Sequence, residues 1–183
     1  INILKTITSR CSVFNMNPLN NKDFDVFIKE NTKSISKDEN LFIKDISSSS
    51  PGLALSLYET KILDLYLELL DDLLSSKKYI RIRETILRLI SSKSNENNYY
   101  MFVLHLIINN LIKKSSFYLL EKKYLETTLE KEKELICLII SKKNTLKLLS
   151  LDSKFDKDMH SAGLLNVNKS DIVINMFKDL CSV

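Results

Sequence analysis

The sequence predicts an all-α protein, and three observations carry that expectation. Glycine and proline occur only 2 times each in 183 residues, too few for the tight turns of a multi-stranded sheet. No long run alternates apolar and polar residues at the period of two that a half-buried strand shows. Apolar residues instead recur at three- and four-residue spacing through most of the chain. At 44% hydrophobic and 27% charged residues, the chain has the composition of a folded protein and is long enough to bury a real core.

Residues 1–16 read as the end of a helix or loop that feeds one short strand, Val13 to Met16. Four residues of strand cannot stand alone in water, so this stretch is expected to be the remnant of a sheet-bearing unit of a longer protein. Three short helices follow between Asn17 and Tyr58. The first runs from about Asn20 to Glu30 with Phe24, Phe27 and Ile28 on one face. The second opens on Ser36-Lys37-Asp38-Glu39, where serine and glutamate can satisfy each other's backbone N–H groups, and buries Leu41, Phe42 and Ile46. The third begins at Ser50-Pro51, serine as N-cap and proline at the first helical position, with Ala54, Leu55, Leu57 and Tyr58 inward.

Longer helices make up the rest. Lys61 to Ser75 carries the wide apolar stripe of a helix packed on more than one neighbour, and Tyr79 to Ser91 is amphipathic through Ile82, Ile86, Leu89 and Ile90. Asn98 to Ile112 is apolar nearly all round and is predicted to be the central helix of a bundle. It is too short for a bilayer, and His105, Asn109 and Asn110 interrupt it. Residues 115–130 are the least readable part, and Lys122-Lys123, Glu126 and the run Glu130 to Glu134 look helical but solvated. Leu135 to Ser141 and Leu146 to about His160 continue the bundle, Ala162-Gly163 is expected to break the chain, and Asn168-Lys169-Ser170-Asp171 caps a last helix.

The residues do not assemble a catalytic centre. Two histidines, His105 and His160, lie far apart, and His105 reads as a hydrogen-bonded core residue. Cys11, Cys137 and Cys181 are odd in number and lack Cys-x-x-Cys spacing, so neither a disulfide framework nor a metal site is predicted, and a reducing cytoplasm is the expected location. Two glycines cannot supply a phosphate-binding loop. Asp71-Asp72 reads as a pair on a solvated face. The doublets Lys77-Lys78, Lys113-Lys114, Lys122-Lys123 and Lys142-Lys143 read as helix ends, where cations suit the dipole. A net charge of +4 with 23 acids interleaved makes no continuous track for nucleic acid. The expected protein is not an enzyme by itself.

Arginine is scarce. Arg10 is one of four, and its planar, permanently charged fork suits phosphate and carboxylate. From spacing alone it is equally a surface arginine beside a strand. Three patches, however, resemble one family. Thr6-Ile7-Thr8-Ser9-Arg10-Cys11, with Pro18-Leu19 beyond the strand, is similar to the Ser-Arg-Cys motif of AAA+ clamp-loader subunits. Ser49-Ser50-Pro51-Gly52-Leu53-Ala54-Leu55 resembles the Gly-Ser-Pro-Gly-x-Ala-Leu start of the last lid helix in delta-prime subunits of the bacterial DNA polymerase III clamp loader. Leu165-Asn166-Val167-Asn168-Lys169, followed by Val173 and Phe177, resembles the Leu-Asn-Leu-Asp-Arg stretch that opens their final helix. Ser49 stands for the family's first glycine, Asn168 for its aspartate and Lys169 for its arginine.

The resemblance implies that residues 1–16 end a nucleotide-binding subdomain, 17–58 form a three-helix lid and 59–183 a helical collar. It implies a non-catalytic subunit of the replication machinery that assembles with tau/gamma and delta subunits. Sliding clamp and primer-template DNA would be met through the assembled complex, without a membrane. Arg10, flanked by Ser9 and Cys11, would act in trans as an arginine finger on ATP held by a partner. The lid helix would start at Ser50, Pro51 and Gly52. ATP-hydrolysing relatives carry a nucleotide-contacting arginine where this chain has Gly52, so no cofactor is expected on this chain. A packing role for Gly52, letting the helix start close to a neighbour, is the plainer alternative. The residues also leave open an unrelated helical module that binds partner helices around its Tyr99–Ile112 segment.

Overall fold

The computed structural model describes residues 10–11, 19–75, 77–92, 97–165 and 169–181. Among these, nine α-helices and no strand are present. The predicted strand Val13 to Met16 lies outside the described residues, as does Ser9.

The first three helices are short and locally specified. Helix α1 (Asn21–Asn31) starts where the Asn20 side chain accepts the Asp23 N–H at 2.9 Å, and it buries Phe24 and Ile28. Helix α2 (Lys37–Ile46) starts where the Ser36 hydroxyl accepts the Glu39 N–H at 3.1 Å, and it buries Phe42, Ile43 and Ile46. Helix α3 (Pro51–Glu59) has proline in its first turn, but the Ser50 side chain makes no capping bond. Its start rests on proline's fixed φ and on the Ser50 carbonyl, which accepts the Ala54 N–H. Both α1 and α2 pack on α3, and Lys61, at φ 51°, turns the chain into the bundle.

Six helices build the bundle: α4 (Ile62–Leu74), α5 (Lys78–Ser92), α6 (Asn97–Glu121), α7 (Glu130–Ile140), α8 (Thr145–Leu165) and α9 (Lys169–Cys181). Helix α6 touches α5, α7, α8 and α9, while α9 also lies against α5, α7 and α8. Helix α2 packs on α4 and α6, so the three-helix unit is seated on the bundle and shares one continuous core with it.

Several boundaries depart from expectation, each for a physical reason. The central helix reaches Glu121 rather than Ile112, a 25-residue helix about 37 Å long. Lys113-Lys114 therefore lies inside it, and Lys114 is buried. Lys77-Lys78 stands at the start of α5, where its own dipole disfavours cations. Helix α7 begins at Glu130, and Glu132, expected on a solvated face, is buried and caps the first turn by accepting the Leu129 N–H. Helix α8 runs through Ala162-Gly163 to Leu165; among the described residues no glycine has a positive φ, so Gly163 weakens the last turns without ending them. Asp72 is buried, not solvated, and accepts the Thr85 hydroxyl at 2.7 Å.

Candidate functional site

Of the motif residues, Ser50, Pro51 and Gly52 belong to the three-helix unit, at the start of α3. Arg10 and Cys11 are exposed, in a turn and a bend. Ser50 and Gly52 are exposed at the head of α3. A Cβ built on Gly52 would meet nothing within 4 Å, which removes the packing explanation for that glycine. Two preceding serines are conformationally unusual: Ser48 has φ 47° and Ser49 φ 59°, the left-handed region that side chains other than glycine pay to enter. The Leu19 N–H donates to the Ser49 carbonyl at 3.3 Å, tying the chain just before α1 to the turn that leads into α3. The region after the Arg10 motif and the Ser49–Leu55 motif thus meet. Lys169 begins α9, away on the bundle.

Beside this turn lies a feature that sequence reasoning missed. Lys114 of α6 sits between two carboxylates, 2.7 Å from Asp45 of α2 and 2.7 Å from Glu132 of α7. Its side chain is 2% exposed, that of Glu132 1% and that of Asp45 10%. Asn110 Nδ2 donates to Asp45 at 2.7 Å, and the Leu129 N–H donates to Glu132 at 2.7 Å. The Tyr66 hydroxyl donates to Glu132, and burial together with that carboxylate raises the Tyr66 phenol well above its ordinary value. Lys114 also donates to the Thr127 carbonyl at 3.2 Å. Burying such charges is costly unless every partner is present, as it is here. An open cleft of about 390 Å³, lined by Lys44, Asp45, Ser48, Ser49, Lys113 and Thr127, leads from solvent to the Asp45 side of the cluster. One signal marks Lys114: it continues the buried stripe Ile107, Leu111 one turn on, as a cation on an apolar face.

A second gathering of charge lies at the far end of the bundle. Lys78 and Lys142 each donate to the Cys181 carbonyl at 3.3 Å, from the start of α5 and from the α7–α8 turn. They serve the dipole of α9 rather than that of their own helices. The Cys181 thiol beneath them is buried, which pushes it up to about 11. Lys143 is buried beside it, and desolvation lowers its ammonium below the ordinary lysine value.

His105 is only half-buried. It stacks on Phe155 with centroids 4.9 Å apart and lies 3.0 Å from Asn109 and 3.6 Å from Asp156, while its buried Nδ1 lacks a partner. Among the described residues no group of three or more histidines, cysteines or acids could hold a metal ion, and no helix is long and apolar enough to cross a membrane. No protein family, curated protein or solved structure matches the chain.

Proposed function

We propose that this chain is the lid and collar of a non-catalytic clamp-loader subunit of the delta-prime type, which assembles with tau/gamma and delta subunits and supplies Arg10 to ATP on a neighbour. In this reading α1–α3 are the lid, α4–α9 the collar, and residues 1–16 the end of the nucleotide-binding subdomain. The observation that carries the reading is Ser49. The family has glycine there, and Ser49 holds φ 59°, a conformation that glycine enters freely. Gly52 adds to it, since an exposed position with open space around it would accept the arginine of an ATPase subunit, and this chain has none.

Chemically, Arg10 would act where charge develops on the transferred phosphoryl group. A guanidinium held there lowers the barrier by charge-assisted hydrogen bonds made most strongly in the transition state. Arginine fingers of this kind are worth about 10³–10⁵ in rate in nucleotide hydrolases. The lid, seated on the collar through Asp45 and Lys114, would keep the segment near Leu19 and Ser49 in register with the subunit interface. The test is Arg10→Ala in the whole protein, reconstituted with tau/gamma and delta. ATP hydrolysis falls by at least about tenfold while the assembled mass is unchanged. Unaltered hydrolysis would remove Arg10 from the role.

A further inference from the structure

The start of α5 lies against the end of α9: Lys78 and Lys178 both stand over the Tyr79 ring, 5.5 Å and 6.0 Å from its centroid. The two helices run antiparallel, and an open groove of about 600 Å³ follows their length. Its apolar residues are Tyr79, Ile80 and Leu87 of α5 and Ile174 of α9. Ile80 is 61% exposed, Leu87 43% and Tyr79 39%, so among the described residues this face of α5 is left without a partner helix. Ile80 and Leu87 are seven residues apart, two turns along one line.

Charge is distributed along the groove, not evenly around it. One end holds Lys178, with Lys78 and Lys142 meeting at the Cys181 carbonyl beyond it. Arg83 and Glu84 flank the middle, and Asp171 lies at the other end. A phosphate backbone laid along the whole groove would meet Glu84 and Asp171, and an anionic membrane would be repelled by the same carboxylates. A helix suits it better, with apolar residues on Ile80, Leu87 and Ile174 and acids confined to the end over the lysines.

We propose that the α5–α9 groove docks an amphipathic helix of a partner protein, apolar on one face and acidic at the end that lies over Lys78 and Lys178. The groove stands on the bundle alone, whether or not Arg10 acts on a neighbour's ATP. The apolar face supplies the burial that holds the partner, and the lysine end fixes its direction.

The probe is a synthetic helical peptide with leucines at i, i+3 and i+7 and glutamates in one terminal turn. Controls carry lysines in place of the glutamates, or are a single-stranded thymidine oligonucleotide. Binding is read by NMR chemical-shift mapping and fluorescence anisotropy on the intact chain. The acidic helix is expected to perturb α5 and α9 amides, and Ile80→Asp, at an exposed and therefore tolerant position, to weaken it by at least about tenfold. Lys178→Glu should weaken the acidic helix and improve the lysine version. No binding of the acidic helix, binding indifferent to Ile80→Asp, or preferential seating of the oligonucleotide in this groove would each overturn the proposal.

Discussion

Ser49 and Cys181 show how single residues carry measurable consequences. Ser49 sits at φ 59°, and an L-residue in that region costs roughly 1–2 kcal/mol that glycine does not. Ser49→Gly is therefore expected to stabilise the protein by up to about 1 kcal/mol, the gain being reduced by glycine's freer unfolded chain. Urea denaturation checks it, and a loss of stability would mean the turn uses the Ser49 side chain. Cys181 gives a pH dependence with a definite sign. Its thiol stays protonated in the fold up to about 11, against an ordinary value of 9.0. The neutral form is favoured by the fold, so this stabilisation is complete below about 9 and drains away as pH rises through 11. The size is about 2–3 kcal/mol. Cys181→Ala should flatten the decline in stability between pH 8.5 and 11 relative to wild type. Equal slopes would contradict the burial argument. Cys11 and Cys137, both exposed, should react with a thiol reagent in the native protein well before Cys181.

Helices α2, α6 and α7 meet at Lys114, and that junction sets what the elements can do separately. Removing the ammonium leaves Asp45 and Glu132 buried together, and breaking a buried pair in this way typically costs about 3–5 kcal/mol. Lys114→Met should show that loss, and in hydrogen exchange α1–α3 should open before α9. Adding Glu132→Gln should cost less than the sum of the two single changes, since both act on one network. Additive losses would mean that the pairs are independent. Helix starts were readable wherever a local device marks them, as with Ser36 and Pro51. The extent of α6 was not. Lys113-Lys114 looks like a helix terminus in sequence, because a lysine at a buried position makes sense only once carboxylates 69 and 18 residues away are brought to it. Gly163 misled for the complementary reason: glycine lowers helix propensity, but a 21-residue helix tolerates one near its end. Lys77-Lys78 misled because its partner is the end of a different helix.

At the scale of the molecule, the all-α character followed from composition and periodicity, since scarce glycine and proline leave few alternatives to helices. The seating of α1–α3 on the bundle did not, because it depends on Asp45 reaching Lys114 across the chain. Of the candidate site, the motif residues Arg10, Ser50, Pro51 and Gly52 were visible in sequence. The left-handed Ser48–Ser49 turn, its bond to Leu19 and the open groove of α5 and α9 exist only in the fold. Together these features describe a molecule with an exposed arginine and, among the described residues, a face of α5 that no helix covers. In the function proposed for it, the molecule acts through what it is assembled with. The most direct test is therefore to mix it with the tau/gamma and delta subunits of a clamp loader and measure masses in solution. A defined hetero-oligomer that includes the 21.2 kDa chain and is held by residues 59–183 is the predicted result. A chain that remains at its own mass in the presence of all partners would contradict the account.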